Sequence, residues 1–212
     1  MIIETIEISK LRVPFHSPLK VTVGEVTSAE NVIIKIVTSN GLTGWGEGSP
    51  FAPITGDSLE SCYCAAQVFA RQILGKDPRE VETRMQEIRA LTVGEPSARS
   101  AFDMALFDIA AKAAGVPLYK YLGGQNHNLR TNLTIGWQET VEKTLEKASE
   151  IVEAGFDAIK LKVGRPLLED VEHVAAIRAK FGDAVKIKID SNQGWDYAEA
   201  VANIKAMESK IV

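Results

Sequence analysis

Cysteine, histidine and long apolar runs are all scarce in this 212-residue chain, which has two cysteines, Cys62 and Cys64, and three histidines. Spaced i, i+2 on a predicted helix, the two thiols point to different faces, which excludes a bond between them and fits a reducing compartment. They also lack the C-x-x-C turn and the neighbouring histidine of a zinc site. His16, His127 and His173 fall one per loop or helix face, so neither a histidine metal centre nor a Ser-His-Asp triad has support. No stretch approaches the roughly 18–20 consecutive apolar residues of a membrane span, which argues against a membrane partner. Cationic excess is missing too: 24 Lys plus Arg stand against 28 Asp plus Glu, a net charge of −4. The bases are dispersed among carboxylates, an arrangement that argues against nucleic acid as a partner. Residues 1–7 carry no basic n-region and no small-residue cleavage site, so the expected location is cytoplasmic.

What is present is an ordinary globular composition, 45% hydrophobic and 25% charged. Up to about residue 48 the pattern is that of strands. Thr5-Ile6-Glu7-Ile8-Ser9 alternates with period two, 31–38 is a β-branched run, and 42–47 follows the turn Ser39-Asn40-Gly41, which predicts an antiparallel meander. Three helices are expected next. Asp57 caps one to about Leu74, Pro78 opens a second to about Leu91, and Ser97 opens a third that stops at Gly115-Val116-Pro117. Phe102, Met104 and Phe107 read as core of the third. The glycines at 44, 46 and 48 lead into Ser49-Pro50 with no helix directly after them, so they are not a dinucleotide fingerprint.

Gly123-Gly124-Gln125-Asn126-His127-Asn128 has no periodicity and marks a domain junction. After it strands and helices alternate: a strand at 130–136, a helix at 139–154, a strand at 157–163, a helix at 167–181, a strand at 185–190. Asp196 with Glu199 then forms a capping box opening a helix to about Glu208, and Lys210-Ile211-Val212 opens a fourth strand. These are β/α units of a parallel sheet. A closed barrel has eight such units over roughly 250 residues, so three units predict an incomplete (β/α) TIM-type barrel that stops in mid-fold.

In the strand at 157–163, Ile159, Leu161 and Val163 face one way and Lys160 and Lys162 the other. Two readings compete for the lysines. On a half-exposed antiparallel strand they form a solvated face; in a parallel sheet covered by helices they point inward, where a charge is costly without a partner or ligand. The β/α rhythm selects the second. Lys188 and Asp190 fall on the same face of the next strand, and Asp190 stands at its C-terminal end, where β/α proteins place ligands. Two lysines beside a carboxylate suit proton removal next to a substrate carboxylate, one lysine acting as the free amine beside the other's ammonium, with a metal neutralising the enolate. Lys162, one pleat nearer the strand end, is the better placed base.

The segment 100–124 resembles the helix and linker that precede the barrel in the enolase superfamily. Lys160-Leu161-Lys162 resembles the K-x-K of its muconate lactonizing subgroup, and Asp190-Ser191-Asn192-Gln193-Gly194-Trp195 resembles its first metal-ligand strand end. Gly44-Trp45-Gly46-Glu47-Gly48-Ser49-Pro50, followed by Ile54-Thr55-Gly56-Asp57-Ser58, is similar to the dipeptide epimerases of that subgroup. The resemblance covers essentially the whole chain and implies an α/β protein: an α+β capping domain, 1–124, then the first units of a modified barrel, 125–212. It implies that Lys162 is one of two acid/base lysines, that Lys160 assists it and binds the substrate carboxylate, and that Asp190 binds Mg²⁺. Thr134 matches a substrate-contacting threonine on the first barrel strand. Lys20 stands on the first capping loop, around 15–24, where glutamate-specific members carry an arginine; it either pairs with an acidic substrate side chain or is a solvated loop lysine. A second loop, 48–58, would close over the substrate with the first. Two further acidic ligands, a second lysine and an ammonium-binding aspartate motif are required by the family pattern, and none can be assigned here. The implied substrate is a dipeptide and the implied assembly a homo-oligomer. A cycloisomerase, an o-succinylbenzoate synthase, or a non-catalytic remnant or subunit are the alternatives.

Overall fold

The computed structural model of the protein describes residues 1–21, 24–125, 128–164 and 167–211, with backbone alone at 17, 19–21, 24–25 and 167–168. The chain divides into two compact units, 1–16 with 28–127, and 17–27 with 128–212.

β1 (Ile3–Val21), β2 (Gly24–Thr38) and β3 (Thr43–Gly48) form a sheet in the order β1-β2-β3, which belongs to the first unit except for the parts of β1 and β2 within 17–27. β2 and β3 pair antiparallel, Ile34 opposite Gly46 and Ile36 opposite Gly44. The turn between them closes with Gly41 N–H on Thr38 O at 2.8 Å, and Gly41 sits at φ 82°, where a side chain would be strained. The segment around 15–24, expected as a loop, is strand up to Val21 in β1 and again from Gly24 in β2. Lys20 is therefore on β1, not on a loop.

Helices α1 (Ala52–Thr55), α2 (Leu59–Ile73), α3 (Val81–Arg89), α4 (Pro96–Ala113) and α5 (Leu118–Tyr121) follow. The cap of α2 is Ser58, whose hydroxyl accepts from Ser61 N–H while Ser61 returns a bond to the Ser58 backbone. The expected cap, Asp57, is instead buried and accepts from Ser97 N–H at 3.0 Å and Ser97 Oγ at 3.1 Å. It also accepts from the Thr55 hydroxyl. A carboxylate at the first turn of α4 meets unpaired backbone donors and the positive end of the helix dipole, a stronger demand than that of α2, which has its own serine. Pro78 precedes its helix by a turn, because Asp77 bonds the backbone and guanidinium of Arg79 and holds 77–80 out of helical conformation.

The core of this unit lies between the sheet and α2–α4: Val32, Ile34 and Ile36 meet Phe69, Phe102, Leu106 and Ile109. Phe69 and Phe102 pack edge to face, centroids 5.9 Å apart. Along β3 alternate residues are glycine because α4 lies directly on the strand. A Cβ on Gly44, Gly46 or Gly48 would stand 2.2 Å from Ala105 O, 1.8 Å from Ala101 O or 2.6 Å from Ser97 O. Met104, expected in the core, is exposed: the buried positions of α4 are 97, 98, 101, 102, 105, 106 and 109–111, and Met104 lies at the edge of that face.

In the second unit β4 (Leu133–Ile135), β5 (Ala158–Lys162) and β6 (Lys186–Asp190) form a parallel sheet in that order. Helix α6 (Val141–Glu153) joins the first two strands, and α7 (Leu167–Phe181), with a 3₁₀ turn at Gly182–Ala184, joins the next two. Apolar side chains from one face of the sheet, Ile135, Ile159, Leu161 and Ile187, pack with Ala148, Val174 and Ile177. Asp196 and Glu199 form the expected capping box at the start of α8 (Tyr197–Met207). No strand begins at Lys210–Ile211: both N–H groups turn back to Met207 O, at 2.8 and 3.1 Å, closing the helix end, and Val212 lies outside the described residues. No described helix is long and apolar enough to cross a membrane.

Candidate active site

The parallel register brings the sequence-predicted groups together. Thr134 lies beside Lys160, and Lys160 beside Lys188, in one row across β4, β5 and β6. One pleat further along, Lys162 lies beside Asp190. Side chains two apart on a strand share a face, so all five residues stand on the side of the sheet opposite Ile159, Leu161 and Ile187.

At the strand ends the groups touch. Lys160 Nζ is 2.6 Å and Lys162 Nζ 2.8 Å from the same atom, Asp190 Oδ2. Lys162 is the more enclosed, its side chain 11% exposed against 33% for Lys160. The other oxygen, Oδ1, accepts from Asn192 N–H at 2.9 Å. Burial raises the Asp190 carboxyl, but the bonds from Lys160 and Lys162, the Asn192 N–H and the charge of Lys162 outweigh it, and the group is held well below the usual carboxylate range. Asp190 is thus ionised, and two ammonium groups against one carboxylate leave a local positive excess suited to an anionic ligand.

The segment 191–195 carries part of the family resemblance, but the sequence reading gives no role to the turn itself. Gly194 N–H bonds Ser191 O at 2.8 Å, and the two central residues, Asn192 and Gln193, have φ of 47° and 65°. Both are in the left-handed region, as in the type I′ class of turn. The Asn192 side-chain oxygen accepts a hydrogen bond from Lys162 Nζ. Asparagine's tolerance of positive φ was the available signal for this turn.

The remaining predicted residues are less closely joined. Thr134 shares the row of Lys160 on β4. The Lys20 side chain lies outside the described residues. His127 also lies outside them. His173 is buried, its Nδ1 2.7 Å from Thr144 Oγ1, in a contact between α6 and α7.

Asp190 offers the hard oxygen that Mg²⁺ favours, at the end of a parallel strand. A magnesium ion takes near-octahedral oxygen coordination, and one carboxylate does not hold it tightly. Among the described residues no three His, Cys, Asp or Glu side chains gather. The described residues do not by themselves make up a Mg²⁺ site.

Known proteins are similar to this chain along its whole length. Residues 3–123 match the mandelate racemase/muconate lactonizing enzyme N-terminal domain, and 143–211 match the enolase C-terminal domain-like family. The chain is 38% identical over 205 residues to the L-Ala-D/L-Glu epimerase of Bacillus subtilis, covering 96% of this chain and 56% of that protein. It is 36% identical over 209 residues to the D-Ala-D/L-Ala epimerase of Cytophaga hutchinsonii, covering 98% of this chain and 56% of that protein. The crystal structure of a dipeptide epimerase from Enterococcus faecalis, complexed with Mg and L-Leu-L-Tyr, superposes with a TM-score of 0.94 at 32% identity, over 100% of this chain and 60% of that one. The chain therefore spans somewhat more than half the length of the relatives it matches. With a family domain matched along more than half its length, this chain belongs to the mandelate racemase/muconate lactonizing enzyme family of the enolase superfamily.

Proposed function

We propose that the complete protein is a Mg²⁺-dependent dipeptide epimerase, an isomerase that removes and returns the proton α to a carboxylate. The observation that carries the reading is the cluster at the ends of β5 and β6, two lysines converging on Asp190 Oδ2 at 2.6 and 2.8 Å. Its support from outside the chain is similarity to proteins named as dipeptide epimerases, one of them holding Mg and a dipeptide.

In this reading Lys162 takes the α-proton from one face of the substrate, because it is the lysine nearest the strand end and the one most shielded from water. Lys160 holds the substrate carboxylate by charge, with Thr134 beside it. Asp190 contributes one oxygen to Mg²⁺, which when bound supplies positive charge that offsets a developing enolate. Epimerisation needs a proton delivered to the opposite face, and the cluster lies on one side of the substrate only. These 212 residues by themselves are accordingly inactive as an epimerase.

A panel of L,L- and L,D-dipeptides, incubated in D₂O with the protein as its source cells make it and Mg²⁺, tests the reading by proton NMR. The α-hydrogen signal of at least one dipeptide should vanish as its epimer appears, and chelation of the metal should stop both. Failure of every dipeptide to lose its α-hydrogen would remove the assignment.

A further inference from the structure

The turn at 191–194 has a feature that strand geometry alone does not require: two successive non-glycine residues at positive φ, Asn192 and Gln193. Left-handed backbone is disfavoured for an ordinary residue, and turns of this class usually place glycine second. The strain persists because the turn is held at both ends, by the Ser191–Gly194 backbone bond and by Asn192 N–H on Asp190 Oδ1. Its effect is to lift the Asn192 amide over the end of β5, where the amide oxygen receives Lys162 Nζ.

We propose that Asn192 is a positioning residue for Lys162. The inference rests on the function proposed above. A lysine ammonium is a point charge on a flexible four-carbon stem, with three donors to place. Two of the three are taken here, one by Asp190 Oδ2 and one by Asn192 Oδ1. The third position faces the substrate, as a lone pair in the free amine that takes the α-proton and as an N–H once the proton has been taken. The two acceptors differ in kind. Asp190 is shared with Lys160 and, in the proposed enzyme, with a cation whose charge repels the ammonium. Asn192 is neutral and has no such second claim, so it is the anchor that keeps Nζ in place when the carboxylate is engaged elsewhere. Proton transfer is sensitive to such placement, since an error of about 1 Å can cost about 10²-fold in rate.

The test is Asn192→Gly, which removes the amide while favouring the positive φ, so the turn is retained. Crystal structures of the parent protein and the variant should show Lys162 in one rotamer with Nζ on Asn192 Oδ1 in the first, and spread over several in the second. α-Hydrogen exchange in D₂O should fall roughly 10- to 100-fold for the epimer whose proton faces Lys162, mainly in kcat, and little for the other epimer. A single unchanged Lys162 rotamer in Asn192→Gly overturns the proposal, as does equal slowing of both epimers, the mark of a general structural role. If the parent protein exchanges no dipeptide, the functional reading fails while the crystallographic comparison still decides whether Asn192 orders Lys162.

Discussion

Lys162 and Asp190 are neighbours in the parallel ladder, 28 residues apart in the chain and 2.8 Å apart at Nζ and Oδ2. The pairing is produced by one β/α crossover, which carries the chain up β5, back along α7 and up β6 in register. Both side chains then end on the same face and at the same height. A one-residue slip in that register would move Asp190 to the opposite face and leave the ammonium without its carboxylate.

Replacing Lys162 tests the role assigned to it. In the complete protein, Lys162→Ala should abolish α-hydrogen exchange in D₂O from one epimer and leave exchange from the other. The loss should be on the order of 10²–10⁴-fold, the usual worth of a positioned acid/base group. Wild-type exchange rates from both epimers in this variant would exclude Lys162 as the proton carrier.

The contact of α4 on β3 makes a stability prediction. Gly46→Ala puts a methyl 1.8 Å from Ala101 O, a backbone atom that cannot swing away. The cost should reach or exceed the upper end of the ~1–3 kcal/mol typical of overpacking. Gly41→Ala, at φ 82° with nothing within 4 Å of its Cβ, should cost only the ~1–2 kcal/mol of the left-handed backbone. Urea midpoints of the two variants should fall in that order, and the reverse order would contradict the packing described.

Asp57 joins the segment before α2 to the first turn of α4. Asp57→Ala leaves Ser97 N–H buried without its acceptor, and the loss of three bonds to a charged group, two from Ser97 and one from Thr55, should cost about 3 kcal/mol or more. That corresponds to a fall in Tm of roughly 10 °C in a chain of this size. Asp57→Asn keeps an acceptor and should fall by less, a comparison that differential scanning calorimetry can make.

The two cysteines should behave as different reagents. Burial, with the nearby charges of Asp57 and Glu95 adding to it, pushes the Cys62 thiol up to about 12. Cys64 is exposed. Iodoacetamide at pH 8 should give one adduct per folded chain, at Cys64, and a second only in denaturant, as read by peptide mass spectrometry. The folded state holds the Cys62 proton more tightly than the unfolded chain, whose thiol ionises near 8.5. The linkage therefore leaves stability untouched below about pH 8.5 and erodes it as pH rises from there towards 12.

Much of this molecule is local in origin and therefore readable in order along the chain. The period-two alternation of 158–162 forces Lys160 and Lys162 onto one face, whatever else surrounds the strand. The Asp196–Glu199 capping box and the helix of 167–181 follow from short-range bonds and a 3.6-residue period. Two of the errors come from partners distant in the chain and one from a local bond. Asp57 looked like a cap because its rival partner, Ser97, lies 40 residues away. Met104 looked like core because its position around α4 is decided by which side of the helix the glycines of β3 receive. Lys210 and Ile211 looked like a strand, although the nearer acceptor, Met207 O, takes both of their N–H groups.

The sequence by itself therefore determined the order of the main strands and helices, the face on which each strand residue stands, and the family to which the chain is similar, since all three depend on spacing within a few residues. Only the tertiary structure decided that both lysines meet a single oxygen of Asp190, that Asn192 reaches back to Lys162, and that α4 rests on the backbone of β3. Those pairings join residues tens of positions apart. They are selected by sheet register and by how closely two surfaces can approach, and neither quantity is encoded in the local pattern of side chains.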